Sequence, residues 1–223
     1  RLYGRRRGHA LRPRQEALLE RALPRLAFPQ SALGDPRAAF DAPPRELWLE
    51  VGFGGGEHAR SLAAAHPEAA LIAAEVFENG ITSMLSALVP EPLDPDRAPL
   101  PGNLRLWTQD ARSLIDGLPD GCLDRLMLMF PDPWPKARHA RRRFVHPGTL
   151  ARQARVLRPG GEWRIATDEP TYQAWVEESF AAQTLFRLAF SSLSRPEGWP
   201  GTRYESKALR EGRHPRWWSF VRI

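Results

Sequence analysis

A repeated unit constrains this chain more than any other feature: a short apolar run that stops at or near an acidic residue. Glu46-Leu47-Trp48-Leu49-Glu50-Val51 runs into Gly52-Phe53-Gly54-Gly55-Gly56. Leu71 to Val76 carries Glu75, Leu104 to Trp107 leads to Gln109-Asp110, Leu123 to Phe130 leads to Asp132, and Glu162 to Thr167 leads to Asp168. Short apolar runs bounded by glycine or proline read as buried strands. Helical patterns lie between them, over Gly56 to Ala65, Asn79 to Leu88, Pro147 to about Leu157 and Pro170 to Thr184. Strands that alternate with helices give a mostly parallel sheet covered on both faces, an α/β fold. Such sheets bind ligands at the carboxyl ends of their strands. The five acids Glu50, Glu75, Asp110, Asp132 and Asp168 fall at those ends.

The rest of the chain is organised around this core. Residues 1–45 read as an N-terminal arm, a short helix with Leu18, Leu19, Ala22, Leu23 and Leu26 at helical spacing, and a linker. Residues 46–223 read as one domain, which a chain of 223 residues can fill with a single core. Five prolines in residues 90–102 exclude helix and central strand there. Arg158-Pro159-Gly160-Gly161 reads as a tight turn, and Leu185 to Phe190 and Trp217 to Ile223 as late strands. No apolar run reaches the roughly 18–20 residues of a membrane-spanning helix. The single cysteine, Cys122, excludes an internal disulfide and a cysteine-cluster metal site, and it fits a reducing cytoplasm. The six histidines, His9, His58, His66, His139, His146 and His214, lack metal-ligand spacing, so no metal is expected. The chain opens on Arg1 rather than methionine, which leaves room for a preceding segment.

The glycine string has the form Glu-x-Gly-x-Gly-x-Gly. Dinucleotide binding requires Gly-x-Gly-x-x-Gly. Counting from Gly52 the sixth position is Glu57, and from Gly54 it is Ala59, so a nicotinamide enzyme is excluded. The lysine of a nucleoside-triphosphate loop is also missing. An acid before the loop repels a pyrophosphate but suits a ligand with an ammonium and a sulfonium, such as S-adenosylmethionine. Glu75 lies about 20 residues past the glycines, where an acid accepts from ribose hydroxyls. Asp110 stands where an acid reaches an adenine amine. Glu50, Gly52, Gly54, Glu75 and Asp110 are therefore the expected cofactor residues.

Net charge is +6, and only Lys136 and Lys207 of the 32 basic residues are lysine. Two clusters matter. Arg1, Arg5, Arg6, Arg7, Arg12 and Arg14 form a basic arm that reads as flexible, and Lys136, Arg138, His139, Arg141, Arg142 and Arg143 follow Phe130-Pro131-Asp132-Pro133-Trp134. Two prolines stiffen the backbone around Asp132, which pre-positions it beside a reacting group. A basic segment directly after it suits an anionic, phosphate-bearing target. Trp134 is a candidate to pack on a base, whereas Trp217 and Trp218 read as core.

These strings resemble the bacterial tRNA (guanine-N7)-methyltransferases. Leu49 to Gly56, Phe130 to Lys136, Arg138 to Arg143, Leu157 to Gly161, Ala166-Thr167-Asp168 and Thr202-Arg203-Tyr204-Glu205 carry the resemblance. The family pattern has Thr-Lys-Phe-Glu at 202–205 and arginine at Lys207. The resemblance implies a Rossmann-like class I methyltransferase fold of about seven strands, the last antiparallel. It implies S-adenosylmethionine as methyl donor and N7 of a tRNA variable-loop guanine as acceptor. It places Glu50, Glu75, Asp110 and Asp132 at the cofactor, with Asp132 also catalytic. It assigns Lys136, Asp168, Thr202, Arg203, Tyr204 and Glu205 to the guanosine, and Arg138, His139, Arg141, Arg142 and Arg143 to RNA. A cytoplasmic monomer or homodimer with no obligate protein partner is expected. Two other readings stay open: methylation of an exocyclic amine, since Asp132-Pro133-Trp134 partly matches Asp-Pro-Pro-aromatic, and a non-catalytic RNA-binding protein on the same fold.

Overall fold

A computed structural model describes residues 6–223; Arg1 and Arg5 of the basic arm lie outside the described residues. Seven strands follow the order β3-β2-β1-β4-β5-β7-β6. The chain divides into two compact units, Arg1–Leu118 and Pro119–Ile223.

In the first unit, β1 (Glu46–Val51), β2 (Ala69–Ala74) and β3 (Leu104–Trp107) pair in parallel. β2 is buried along its whole length, as a strand covered on both faces must be. The register sets Glu50 opposite Ala73 and Ala74 opposite Trp107. The expected helices appear as α3 (Glu57–Ala65) and α4 (Glu78–Leu88), and α5 (Ala111–Gly117) is additional. The N-terminal helix runs as α1 (Pro13–Ala17), a π turn over Leu18–Ala22, and α2 (Leu23–Leu26). Pro24 has no N–H for the usual bond, and the turn before it widens so that Leu23 N–H donates to Leu18 O.

That helix explains the proline-rich stretch. Arg14 donates to the Val89 and Leu93 carbonyls, and Arg25 donates to those of Pro95 and Ala98, both at 2.8 Å. Arg21 pairs with Asp94 at 2.6 Å and with Asp96. The basic arm, expected to be flexible, is tied down where it is described. Glu78 N–H donates to Arg6 O, Gly8 N–H to Asn79 Oδ1, and Asn79 Nδ2 to His9 O, while Arg7 pairs with Glu78. Backbone hydrogen bonds to the first turn of α4 replace the freedom that composition suggests.

In the second unit, β4 (Leu123–Met129) and β5 (Leu157–Thr167) are parallel, and β7 (Arg216–Arg222) runs antiparallel to both β5 and β6 (Phe186–Ser192). The expected turn at 158–161 is a bulge within β5. Leu123 faces Leu157 and Arg125 faces Glu162, so Arg158–Gly161 loop out opposite Asp124, with Gly160 at φ +76°. The helices are α6 (Leu150–Val156), α7 (Pro170–Ala181) and α8 (Arg203–Arg210), with 3-10 turns at Ala137–Arg142 and Pro147–Thr149. Trp163 and Trp218 are fully buried, and Phe180 stacks on Phe220 at 3.6 Å. β6 ends the sheet, with Leu188 and Phe190 exposed and a register shift between them.

Candidate cofactor loop and catalytic strand end

The glycine loop leaves β1 with Gly52, Gly54 and Gly56 at φ +74°, +57° and +80°, a region that side chains other than glycine seldom enter. Gly52 N–H and Phe53 N–H both donate to Ala74 O, which turns the chain back over β2. A Cβ on Gly52 would meet nothing within 4 Å, so bare backbone faces open space. Gly56 is required for packing as well, because a Cβ there would lie 2.5 Å from Met84 Sδ. Gly80, on α4, approaches the loop more closely than the sequence suggests: its Cβ would lie 2.5 Å from Gly54 O.

Three acids stand at or just past the ends of β1, β2 and β3, each with a distinct task. Glu50 is 1% exposed and shares Oε2 with His58 Nδ1 at 3.0 Å. His58, which reads from sequence as a surface or helix residue, is a buried partner on the first turn of α3. Nothing in the sequence links the two, since the pairing depends on how the glycine turn folds α3 back. Glu75 accepts from Gly54 N–H at 2.9 Å through Oε2, and from Val76 and Phe77 N–H through Oε1. It latches the loop to the start of the next segment. Asp110 is the N-cap of α5, with Oδ1 accepting from Arg112 N–H at 3.0 Å, while its carbonyl accepts from Trp107 Nε1. Open backbone beside buried and half-buried carboxylates, with no cation in the glycine string, fits a ligand that carries positive charge.

In the second unit, β4 and β5 end side by side. Phe130 N–H donates to Ala166 O at 2.7 Å, and Asp132 and Asp168 each lie two residues further along their chains. Phe130 and Trp134 hold φ +51° and +43°, rare for bulky residues. Two left-handed residues thus bracket Pro131-Asp132-Pro133, and Asp132 is exposed at the tip. Strain of this kind concentrates at functional sites.

Asp168 is not an isolated acceptor. Arg213 donates to its Oδ2 at 2.5 Å and also pairs with Glu211. The hydrogen bond to Asp168 pushes the Arg213 guanidinium further above its ordinary value. Any group bound at Asp168 must share the carboxylate with this cation. Thr202 is the N-cap of α8, its Oγ1 accepting from Glu205 N–H at 3.0 Å. Glu205 is buried and pairs with Arg195 at 3.1 Å. The Arg203 guanidinium lies 5.2 Å from the Tyr204 ring, and both side chains are exposed. Thr202 and Glu205 therefore build the helix start that presents Arg203 and Tyr204. Arg195 and Arg213, which complete these two groups, carried no sequence signal.

The basic segment divides by burial. Lys136, Arg138 and Arg141 are exposed, and His139 and Arg142 are half-buried around Trp134. Arg142 lies 4.8 Å from the Trp134 ring centroid, and His139 meets that ring edge-on at 5.8 Å. The His139 ring is held below the ordinary histidine range, first by partial desolvation and then by Arg142, Arg138 and Lys136. Arg143 departs from the expectation that it contacts RNA. It is 4% exposed, its Nε donates to Pro133 O and its Nη2 to Trp134 O. A guanidinium enclosed in this way has no surface to offer a phosphate.

Residues 44–216 match a family model described as "Putative methyltransferase". A tRNA (guanine-N(7)-)-methyltransferase of Granulibacter bethesdensis is 62% identical over 222 residues, covering 100% of this chain and 95% of the relative. The enzyme of the same name from Rhodospirillum rubrum is 46% identical, covering 100% and 88%. Among solved structures, the 16S rRNA methyltransferase KamB is similar at TM-score 0.56 and 18% identity, covering 83% of this chain and 90% of that one. The antibiotic-resistance methyltransferase Kmr gives 0.53 and 20%, covering 88% and 95%. The fold is that of the class I methyltransferases, and the chain belongs to the tRNA (guanine-N(7)-)-methyltransferase family.

Proposed function

We propose that the protein transfers the methyl group of S-adenosylmethionine to N7 of a guanine in the variable loop of tRNA. One observation carries the reading: Asp132 projects from a strand end braced by two left-handed residues, and the chain continues directly into exposed Lys136, Arg138 and Arg141. The methyl donor supplies an electrophilic carbon on a sulfonium. Guanine N7 already has an exposed lone pair, so no base must remove a proton first. What remains for the protein is alignment and charge. Asp132 positions the acceptor and offsets the positive charge that grows on the purine ring. Asp168, paired with Arg213, accepts from the guanine N1 and N2 hydrogens and so selects guanine over adenine. Arg203 and Tyr204 flank the nucleoside, and Lys136, Arg138 and Arg141 hold phosphates. Glu50, Glu75, Asp110, Gly52 and Gly54 bind the donor, with residues 46–223 acting as the methyltransferase domain of a cytoplasmic monomer or homodimer.

The test is incubation with labelled S-adenosylmethionine and unmodified tRNA, then mass mapping of the methylated nucleoside. N7-methylguanosine is the expected product, and a label on an exocyclic amine would overturn the reading. Asp132→Ala should lower turnover by about 100-fold, in the range that loss of one charge-stabilising group costs. Undiminished turnover would remove Asp132 from the mechanism.

A further inference from the structure

Arginine is expensive to bury, because a desolvated charge needs compensating partners. Arg143 is nonetheless 4% exposed, in a run whose other arginines reach solvent at least in part. Its partners are specific. Nε donates to Pro133 O at 3.2 Å and Nη2 to Trp134 O at 3.1 Å, two successive carbonyls of the strand-end string. The same guanidinium lies 4.7 Å from the Trp175 ring centroid and 5.9 Å from that of Tyr172, both on α7. Those two residues are fixed in turn: Trp175 Nε1 donates to Val145 O at 2.7 Å, and Val145 N–H donates to the Tyr172 hydroxyl at 3.3 Å. Arg143 N–H closes the 3-10 turn by donating to Ala140 O. The side chain therefore ties a loop to a helix that is itself tied to the residues just after Arg143.

The loop it holds needs holding. Trp134 sits at φ +43°, a conformation that is strained for a bulky residue and persists only where the surroundings impose it. We propose that Arg143 is a positioning residue for methyl transfer: its guanidinium fork holds the Pro133 and Trp134 carbonyls against the aromatic face of α7, and so fixes the backbone that carries Asp132. This rests on the reading of Asp132 as the catalytic carboxylate. Only a planar fork spans two adjacent carbonyls while lying on a ring, so lysine keeps the charge but loses the clamp.

The test compares Arg143→Lys, Arg143→Met, Asp132→Ala and the Asp132→Ala/Arg143→Lys double variant in the full-length protein. Turnover is counted per molecule competent to bind S-adenosylmethionine, so loss of folded protein does not register as loss of kcat. Arg143→Lys should lower kcat at least about tenfold while leaving the tRNA KM within about threefold, the pattern of a group that acts only on the reacting geometry. The salt dependence of tRNA binding should not change, since no phosphate contact is lost. In the Asp132→Ala background the same substitution should cost little more, because it acts through Asp132. Arg143→Met should lose kcat at least as severely as Arg143→Lys, although it retains the apolar stem. An unchanged kcat in Arg143→Lys overturns the proposal, as does a higher tRNA KM with a shallower salt slope, or a loss that adds in full to that of Asp132→Ala. Unchanged turnover in Asp132→Ala alone overturns the catalytic reading and this inference together. An unaffected Arg143→Lys beside an impaired Asp132→Ala overturns only the clamp.

Discussion

Residues of one type hold different positions in this protein, and their neighbours decide what each can do. His139 is an example. Partial desolvation and the surrounding arginines keep its ring less protonated than an ordinary histidine at the same pH. It gains charge only as pH falls below the ordinary value of about 6.5, and only then does it add to phosphate binding. Wild type and His139→Gln should therefore bind tRNA equally from pH 8 down to about 6.5, and the wild type should gain an advantage only below that. A titration of tRNA affinity measures this, and an advantage already present at pH 7.5 would contradict it. Sequence alone placed Glu50, Glu75 and Asp110 at strand ends, because apolar runs mark those ends. It could not separate Arg143 from Arg141 and Arg142, since all three belong to one basic run and only tertiary packing buries one of them. The same holds for His58, whose bond to Glu50 forms after the glycine turn brings α3 back.

At the scale of elements, backbone approach and arginine clamps set the shape of the donor loop and its surroundings. α4 comes so close to the glycine loop that a methyl on Gly80 would strike Gly54 O. Gly80→Ala should therefore weaken S-adenosylmethionine binding by about tenfold or more in calorimetry, because the loop backbone must move. Gly34→Ala, where a Cβ meets nothing within 4 Å, is the matched control. The proline-rich stretch depends on the N-terminal helix. Arg25→Ala removes two charge-assisted bonds to the Pro95 and Ala98 carbonyls and should cost about 2 kcal/mol in denaturant unfolding. Faster amide exchange at 94–98 should accompany it. The Arg21 pairs are exposed and should matter much less. Strands were legible because burial on both faces forces an apolar run: β3 occupies the four residues the sequence marks. α5 and α8 were not. The first sets Ala111, Leu114 and Ile115 at helical spacing but is only seven residues long, too short for the period to stand out, and the second buries only Glu205 and Ala208 and shows no apolar period. The turn read at 158–161 instead became a bulge, since pairing of β5 with β4 resumes at Glu162.

For the whole molecule, charge and sheet edge decide its behaviour toward other molecules. With a net charge of +6, tRNA binding should weaken steeply with salt. Replacing exposed Arg138 or Arg141 by serine should each reduce the slope of log affinity against log salt by roughly one, measured by filter binding at several ionic strengths. Arg143→Lys should not. The parallel core followed from the alternation of strands and helices and the antiparallel last strand from the family resemblance, but the division of labour along the basic segment followed from neither. β6 closes one side of the sheet with Leu188 and Phe190 exposed, and it carries Arg187 and a register shift beside them. A charge and a kink are what prevent an apolar border from zipping onto a copy of itself. The expected consequence is for shelf life in concentrated solution, far in sequence from the glycine loop: Arg187→Val should leave methyl transfer intact and make the purified protein scatter light on standing.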